Sequence, residues 1–225
     1  MIGGKTMIHR TYDQVRMSSL DAVVVATDDR RIYDEVRGFG GQVVMTRDDH
    51  RSGTDRCCEA LNASSGDFQA VVNIQGDEPF IDPRQIDAVA ALIHHPDVHL
   101  ATLAKVIDDP QALLSPNVVK VVLDHLGNAL YFSRHPIPFV RGTEPEQWLQ
   151  QAVFYQHIGI YAYKTDTLRE ITSLPVGRLE QAESLEQLRW IEHGLRIRVG
   201  VSDIHDSIAI DTPSDLLNIP QEYLL

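Results

Sequence analysis

Apolar and polar residues alternate in blocks along the first half of the chain, and the spacing within each block predicts its element. Met7, Ile8, Tyr12, Val15 and Arg16 recur at helical spacing on one face, so residues 7–17 are expected to form a helix. Ala22-Val23-Val24-Val25-Ala26 is a continuous apolar run between polar residues, the pattern of a buried strand. Thr27-Asp28-Asp29 then reads as a turn and helix cap, followed by a helix over 30–39 that Gly40-Gly41 stops. Val43–Met45 is a second strand. A polar loop rich in Gly, Ser, Thr and charge, Thr46 to Arg56, leads from it into a helix carrying Cys57 to Leu61. A third strand over 71–74, a helix over 83–94 and a strand over 99–104 continue the alternation, which is the mark of a parallel sheet with helical crossovers.

The pattern changes after residue 115. Apolar segments 118–123 and 128–133, joined by Asp124-His125-Leu126-Gly127, predict a hairpin, and a loop with Pro136 and Pro138 follows. A strand is expected over 157–163, helices over 164–171 and 179–192, a stop at Gly194 and a strand over 196–201. Asp211-Thr212-Pro213-Ser214-Asp215 opens a last short helix. With no internal repeat or low-complexity linker, the expectation is one α/β domain over 1–225, mostly parallel, in which about 125–165 adds antiparallel strands.

Composition narrows the function classes. A formal charge of −12 argues against a nucleic-acid backbone as main partner, although a few local cations and a metal suffice for a nucleotide. The two cysteines, Cys57 and Cys58, are adjacent and give no disulfide framework, which suits a reducing cytoplasm. No 18-residue apolar run is present, so no membrane span is predicted, and the first residues lack the apolar core of a signal peptide.

Five places stand out for chemistry. Val71–Ile74 delivers Gln75-Gly76-Asp77-Glu78 to the carboxyl end of a strand, where open α/β sheets hold ligands and where Asp77 can hold a divalent cation on phosphates. The alternative is a solvated acidic turn. Ile208-Ala209-Ile210 delivers Asp211 in the same way, either as a second metal-binding carboxylate or as a helix cap. In the loop before Cys57, the Ser52-Gly53-Thr54 amides lie at a helix start that can bind polar groups; equally, Ser52 or Thr54 simply caps that helix. Glu180, Glu183 and Gln187 share one face if 179–192 is a continuous helix, and His157, Tyr161 and Tyr163 alternate on a strand; both sets have an ordinary structural reading.

Taken in order, these segments resemble one family, the 3-deoxy-manno-octulosonate (Kdo) cytidylyltransferases, or CMP-Kdo synthetases. The blocks are Val-Val-Val-Ala-Thr-Asp at 23–28, Met-Thr-Arg-x-Asp-His-x-Ser-Gly-Thr-Asp-Arg at 45–56 and Asn-Ile-Gln-Gly-Asp-Glu-Pro at 73–79. Pro-Asn-Val-Val-Lys-Val-Val-Leu-Asp at 116–124, Ala-Leu-Tyr-Phe-Ser-Arg at 129–134 and His-Ile-Gly-Ile-Tyr at 157–161 follow. Glu-Ser-Leu-Glu-Gln-Leu-Arg at 183–189 and Ile-Asp-Thr-Pro-Ser-Asp-Leu at 210–216 complete the series. The resemblance implies a Rossmann-like nucleotidyltransferase that joins CTP and Kdo, releasing pyrophosphate, for lipopolysaccharide biosynthesis. It implies Mg²⁺ held by Asp77 and Asp211, and a nucleotide set of Arg51, Ser52, Gly53, Thr54, Asp55 and Gln75. It further implies a sugar set of His157, Tyr161, Glu183 and Gln187, with Arg134 a candidate for the sugar carboxylate or a dimer contact, and a cytoplasmic homodimer.

The chain departs from the family pattern at its start. The family opens with a strand and a loop of the form Pro-Ala-Arg-x-x-Ser-x-Arg-x-Pro-Gly-Lys, whereas Gly4-Lys5-Thr6-Met7-Ile8 matches the segment that comes next. Lys5 is therefore not the phosphate-binding lysine, and the expectation is that the native start lies upstream or that this is a shortened form. Two alternatives stay open on sequence alone: a CMP-sialate-type synthetase, and a non-catalytic remnant.

Overall fold

The structure, a computed structural model, describes residues 1–204 and Ile219. The predicted Ile208–Ile210 run, Asp211 and the final short helix lie outside the described residues. Two compact units are present: Met1–Ala88 with Ile204 and Ile219, and Val89–Asp203.

The first unit follows the expected alternation: α1 (Met7–Arg16), β1 (Val25–Thr27), α2 (Arg30–Gly38), β2 (Val43–Met45), α3 (Gly53–Ala63), β3 (Ala70–Asn73) and the start of α4 (Pro83–Ile93). β1 and β2 pair in parallel, Val25 opposite Val43 and Thr27 opposite Met45. The helix starts are dictated locally. Thr6 Oγ1 accepts from His9 N at 3.3 Å, Asp29 accepts from Arg31 N at 2.7 Å, and Ser52 Oγ accepts from Asp55 N at 3.1 Å, each satisfying an orphan amide of a first turn. Gly40 follows α2 at φ +80°, the left-handed position that glycine reaches without strain. Lys5 pairs with Asp13 of α1. The apolar run at 22–26 yields a strand only from Val25 onward.

In the second unit the elements are β4 (Leu100–Val106), α5 (Pro110–Leu114), β5 (Lys120–Leu123), β6 (Ala129–Ser133), α6 (Trp148–Gln151), β7 (Tyr155–Lys164), α7 (Thr165–Thr172), α8 (Arg178–Glu183), α9 (Gln187–Glu192) and β8 (Arg198–Val201). The strands lie in the order β6-β5-β7-β4-β8. β4 is buried from Leu100 to Ala104, which explains why its residues there are apolar apart from Thr102. It runs parallel to β8 and antiparallel to β7, with a bulge where Thr102 pairs Tyr161 but Leu103 pairs Ile158. The predicted hairpin is present, Val121 opposite Phe132, with Gly127 at φ +77° in its turn.

Two features differ from expectation. Asp109-Pro110 opens a short helix, with Asp109 accepting from Gln111 N at 2.9 Å. More consequentially, the helix expected over 179–192 is two helices, α8 and α9, broken at Ser184, whose φ and ψ are 52° and 49°.

Candidate functional site

In the first unit, β3 ends at Asn73 and the chain turns through Gln75-Gly76-Asp77, with Glu78 N donating to Gln75 O at 3.3 Å. Thr11 of α1 braces this turn, its hydroxyl 3.1 Å from Gly76 O. Asp77 is half-buried, and among the described residues its carboxylate has no hydrogen bond or ion pair. The start of α3 lies against the end of β3. A Cβ on Gly53 would stand 3.3 Å from Gln75 Nε2 and 3.8 Å from Asn73 Nδ2, so the backbone at the start of α3 lies within contact distance of both side chains. Gln75 and the Ser52–Asp55 segment, separate in sequence, are thereby brought together. Ser52 is the N-cap, as its structural reading required, and Thr54 is buried. Arg51 is exposed and Asp55 half-buried, and among the described residues neither side chain has a hydrogen bond or ion pair.

Sequence reasoning missed what holds this loop. His50 bonds to Glu59 of α3, and Glu59 also accepts from Arg47 N at 3.3 Å. The hydrogen bond from His50 holds the Glu59 carboxyl below its ordinary range. On the same helix Arg56 donates to Thr46 Oγ1 at 2.5 Å and Arg47 O at 3.2 Å, and pairs with Asp28 at 3.2 Å. The polar residues before and after Ser52, which read only as a charged loop, tie that loop to α3.

In the second unit the bulge in β7 aims His157 and Tyr161 to one side, their rings 5.3 Å apart, with Phe132 edge-on to His157 at 5.0 Å. Thr102 Oγ1 is 2.7 Å from Ile160 O and 3.0 Å from His157 Nε2. The hydroxyl has one proton and gives it to the closer carbonyl, so Nε2 of His157 carries the proton it donates. The imidazole is neutral, because burial lowers its pKa to about 3. Burial, with Tyr163 and Glu186 nearby, pushes the Tyr161 hydroxyl well above its ordinary value, so it is a donor at neutral pH. That hydroxyl and Trp190 Nε1, whose rings meet at 5.2 Å, are buried without a hydrogen-bond partner among the described residues.

Glu183 ends α8, where its carboxylate accepts from Ser133 Oγ at 2.7 Å and Arg134 N at 2.9 Å. The Arg134 guanidinium donates to Glu183 O at 2.7 Å, Pro116 O at 3.2 Å and Ser184 O at 3.3 Å. It thus satisfies the carbonyls that the break in the helix leaves open. Gln187, buried, opens α9 after the break. The continuous polar face of Glu180, Glu183 and Gln187 therefore does not exist. Glu180 instead forms a bidentate pair with Arg189, at 2.6 and 2.5 Å, that stitches α8 to α9. Burial, the largest single effect, raises the Glu180 pKa, but the Arg189 hydrogen bonds, the Gly177 amide and the Arg189 charge together outweigh it and hold the carboxyl below its ordinary value.

Comparison with known proteins gives this geometry a family. The Cytidylyltransferase family model matches residues 1–197. The chain is 56% identical over 219 residues to the 3-deoxy-manno-octulosonate cytidylyltransferase of Bacteroides thetaiotaomicron, covering 96% of this chain and 87% of that protein. It is 50% identical over 220 residues to the protein of the same name from Cytophaga hutchinsonii, covering 97% and 87%. A solved structure of CMP:2-keto-3-deoxy-manno-octonic acid synthetase complexed with CTP matches with a TM-score of 0.88 at 39% identity, over 97% of this chain and 87% of that one. The 4-diphosphocytidyl-2C-methyl-D-erythritol synthase of Anaerococcus prevotii, 13% identical with a TM-score of 0.62, shares the fold alone. The fold is the α/β nucleotidyltransferase fold with a mixed sheet flanked by helices, and the chain belongs to the 3-deoxy-manno-octulosonate cytidylyltransferase family.

Proposed function

We propose that this protein is a cytidylyltransferase that activates Kdo with CTP, giving CMP-Kdo and pyrophosphate, and so serves lipopolysaccharide biosynthesis. The anomeric hydroxyl of the sugar attacks the α-phosphorus of CTP, and pyrophosphate leaves. The observation that carries this reading is Asp77: a half-buried carboxylate at the carboxyl end of β3, without a hydrogen-bond or ion-pair partner among the described residues. Such a group suits Mg²⁺, which binds through one or two carboxylates plus substrate phosphates rather than an all-protein cage. Asp211 is the proposed second carboxylate. When bound, Mg²⁺ would screen phosphate charge and align nucleophile with leaving group.

The remaining roles follow the two units separately. In the first, Arg51, Ser52, Gly53, Thr54, Asp55 and Gln75 form the nucleotide set; the start of α3 is suited to a polar base edge or a phosphate oxygen. In the second, His157, Tyr161, Glu183 and Gln187 form the sugar set. The buried, unpartnered Tyr161 hydroxyl is supplied with an acceptor by a sugar acid. The Arg134 guanidinium is already committed to three carbonyls, so we assign it to holding Glu183 rather than to the sugar carboxylate or a dimer contact. We read residues 1–225 as one nucleotidyltransferase domain, with about 125–165 its antiparallel insertion, acting as a cytoplasmic homodimer. Among the described residues no helix is long and apolar enough to cross a membrane.

The test is product analysis with CTP, Kdo and Mg²⁺, each omitted in turn, and with a sialic acid in place of Kdo. CMP-Kdo formed only when all three are present supports the reading. Turnover of the sialic acid instead of Kdo, or of neither by a folded sample, overturns it.

A further inference from the structure

Lys120 opens β5 between β6, where it pairs with Ser133, and β7, where it pairs with Gln156. Its residue is 0% exposed. The ammonium has three protons, and three backbone carbonyls converge on them: Ser115 at 2.8 Å, Val118 at 2.6 Å and Arg134 at 2.5 Å. Among the described residues no carboxylate contacts it directly. A buried cation ringed by carbonyl oxygens is what a dehydrated monovalent ion would look like here, except that the charge is tethered to the chain.

The cage borders much of the sugar set. Arg134, whose carbonyl closes it, gives its amide to the Glu183 carboxylate and its guanidinium to Glu183 O and Ser184 O. Pro116, between two of the cage carbonyls, accepts from the same guanidinium. Val119, next to Val118, accepts from His157 N at 2.8 Å. Removing the ammonium would take its donor from all three carbonyls, leaving Ser115 O only its bond from Val118 N at 3.2 Å, and relief requires the 115–118 loop or Arg134 to move. Either movement shifts Glu183 or His157.

We propose that Lys120 is a positioning residue of the sugar half-site, its ammonium acting as a built-in monovalent cation that fixes the 115–118 loop and Arg134. The role depends on the sugar-site reading above. Its test is Lys120→Ala in the full chain, with steady-state kinetics and thermal melting, each with and without n-propylammonium chloride. The KM for Kdo is expected to rise about 10- to 100-fold while that for CTP changes by less than about two-fold, the signature of one misplaced half-site. Propylammonium should restore the Kdo KM saturably and raise the melting temperature. Tetramethylammonium, equally charged but with no N–H to give, should do neither. An unchanged Kdo KM, parallel changes in both KM values, or equal effects of the two salts would overturn the proposal. If Lys120→Ala does not fold, Lys120→Arg keeps the charge but not the three-carbonyl geometry, and should show the same KM split; unchanged kinetics there would also overturn it. The melting arm needs no turnover. A wild-type protein inactive with Kdo therefore counts against the proposed function, whereas a melting temperature indifferent to propylammonium counts against the cage.

Discussion

The loop before α3 and the segment over 178–192 are both polar stretches, yet the cap of the first is readable from its own residues and the break in the second is not. Apart from Arg56 to Asp28, the ties of the first lie close in sequence: Ser52 to Asp55, Thr46 to Arg56, His50 to Glu59. The second is shaped by Arg134, about fifty residues away, which pairs with the carbonyls of Glu183 and Ser184 and so stabilises a break where no glycine or proline announces one. Local interactions make a site legible; a distant partner that satisfies backbone carbonyls overrides helical periodicity.

Substitutions can break or sharpen that contrast. The largest effect on stability is expected from Arg189→Met, which leaves the largely buried Glu180 carboxylate without its cation and with the Gly177 amide as its remaining donor, and should cost roughly 3–5 kcal/mol in denaturant unfolding. Glu180→Gln with Arg189→Met should recover part of that loss, because both charges are then gone. Arg134→Met should cost about 2–3 kcal/mol, since the carbonyls at the break lose their donor. It should also raise the Kdo KM while leaving the CTP KM unchanged, and a neutral outcome would mean that the break is intrinsic to 178–192.

His157 gives a pH-dependent prediction whose sign is fixed by its depressed pKa. The folded state excludes the proton until about pH 3, whereas the unfolded chain takes it up near 6.5. Its contribution to stability is therefore complete above 6.5 and is lost as pH falls towards 3, with a slope of at most about 1.4 kcal/mol per pH unit. His157→Gln should flatten the unfolding free energy across that window; an unchanged slope would place the titration elsewhere. The smallest effect is expected from Ser52: Ser52→Ala should cost about 1 kcal/mol and Ser52→Gly only a few tenths, as for an ordinary N-cap.

Much of the architecture followed from pattern. The αβ alternation of residues 1–93, the hairpin at Asp124–Gly127 and the helix stop at Gly194 all rest on local signals that the fold preserves. Strand ends were less legible, because the apolar run at 22–26 says nothing of where a partner strand begins. For the site, motif matches named Gly53 and Gln75 without revealing that they touch; that follows only once α3 is seen against the end of β3. The roles of Arg134 and Lys120 were hidden for one reason: both side chains serve backbone carbonyls, which carry no sequence signature.

The most direct test of the function is pyrophosphate release by Asp77→Asn beside the unsubstituted chain, with CTP, Kdo and Mg²⁺ saturating and unfolding curves recorded in parallel. The account predicts a kcat lower by at least about 10²–10³-fold, from loss of preorganised charge at the reacting phosphate, with stability nearly unchanged. Near-normal release by a folded Asp77→Asn protein would contradict it.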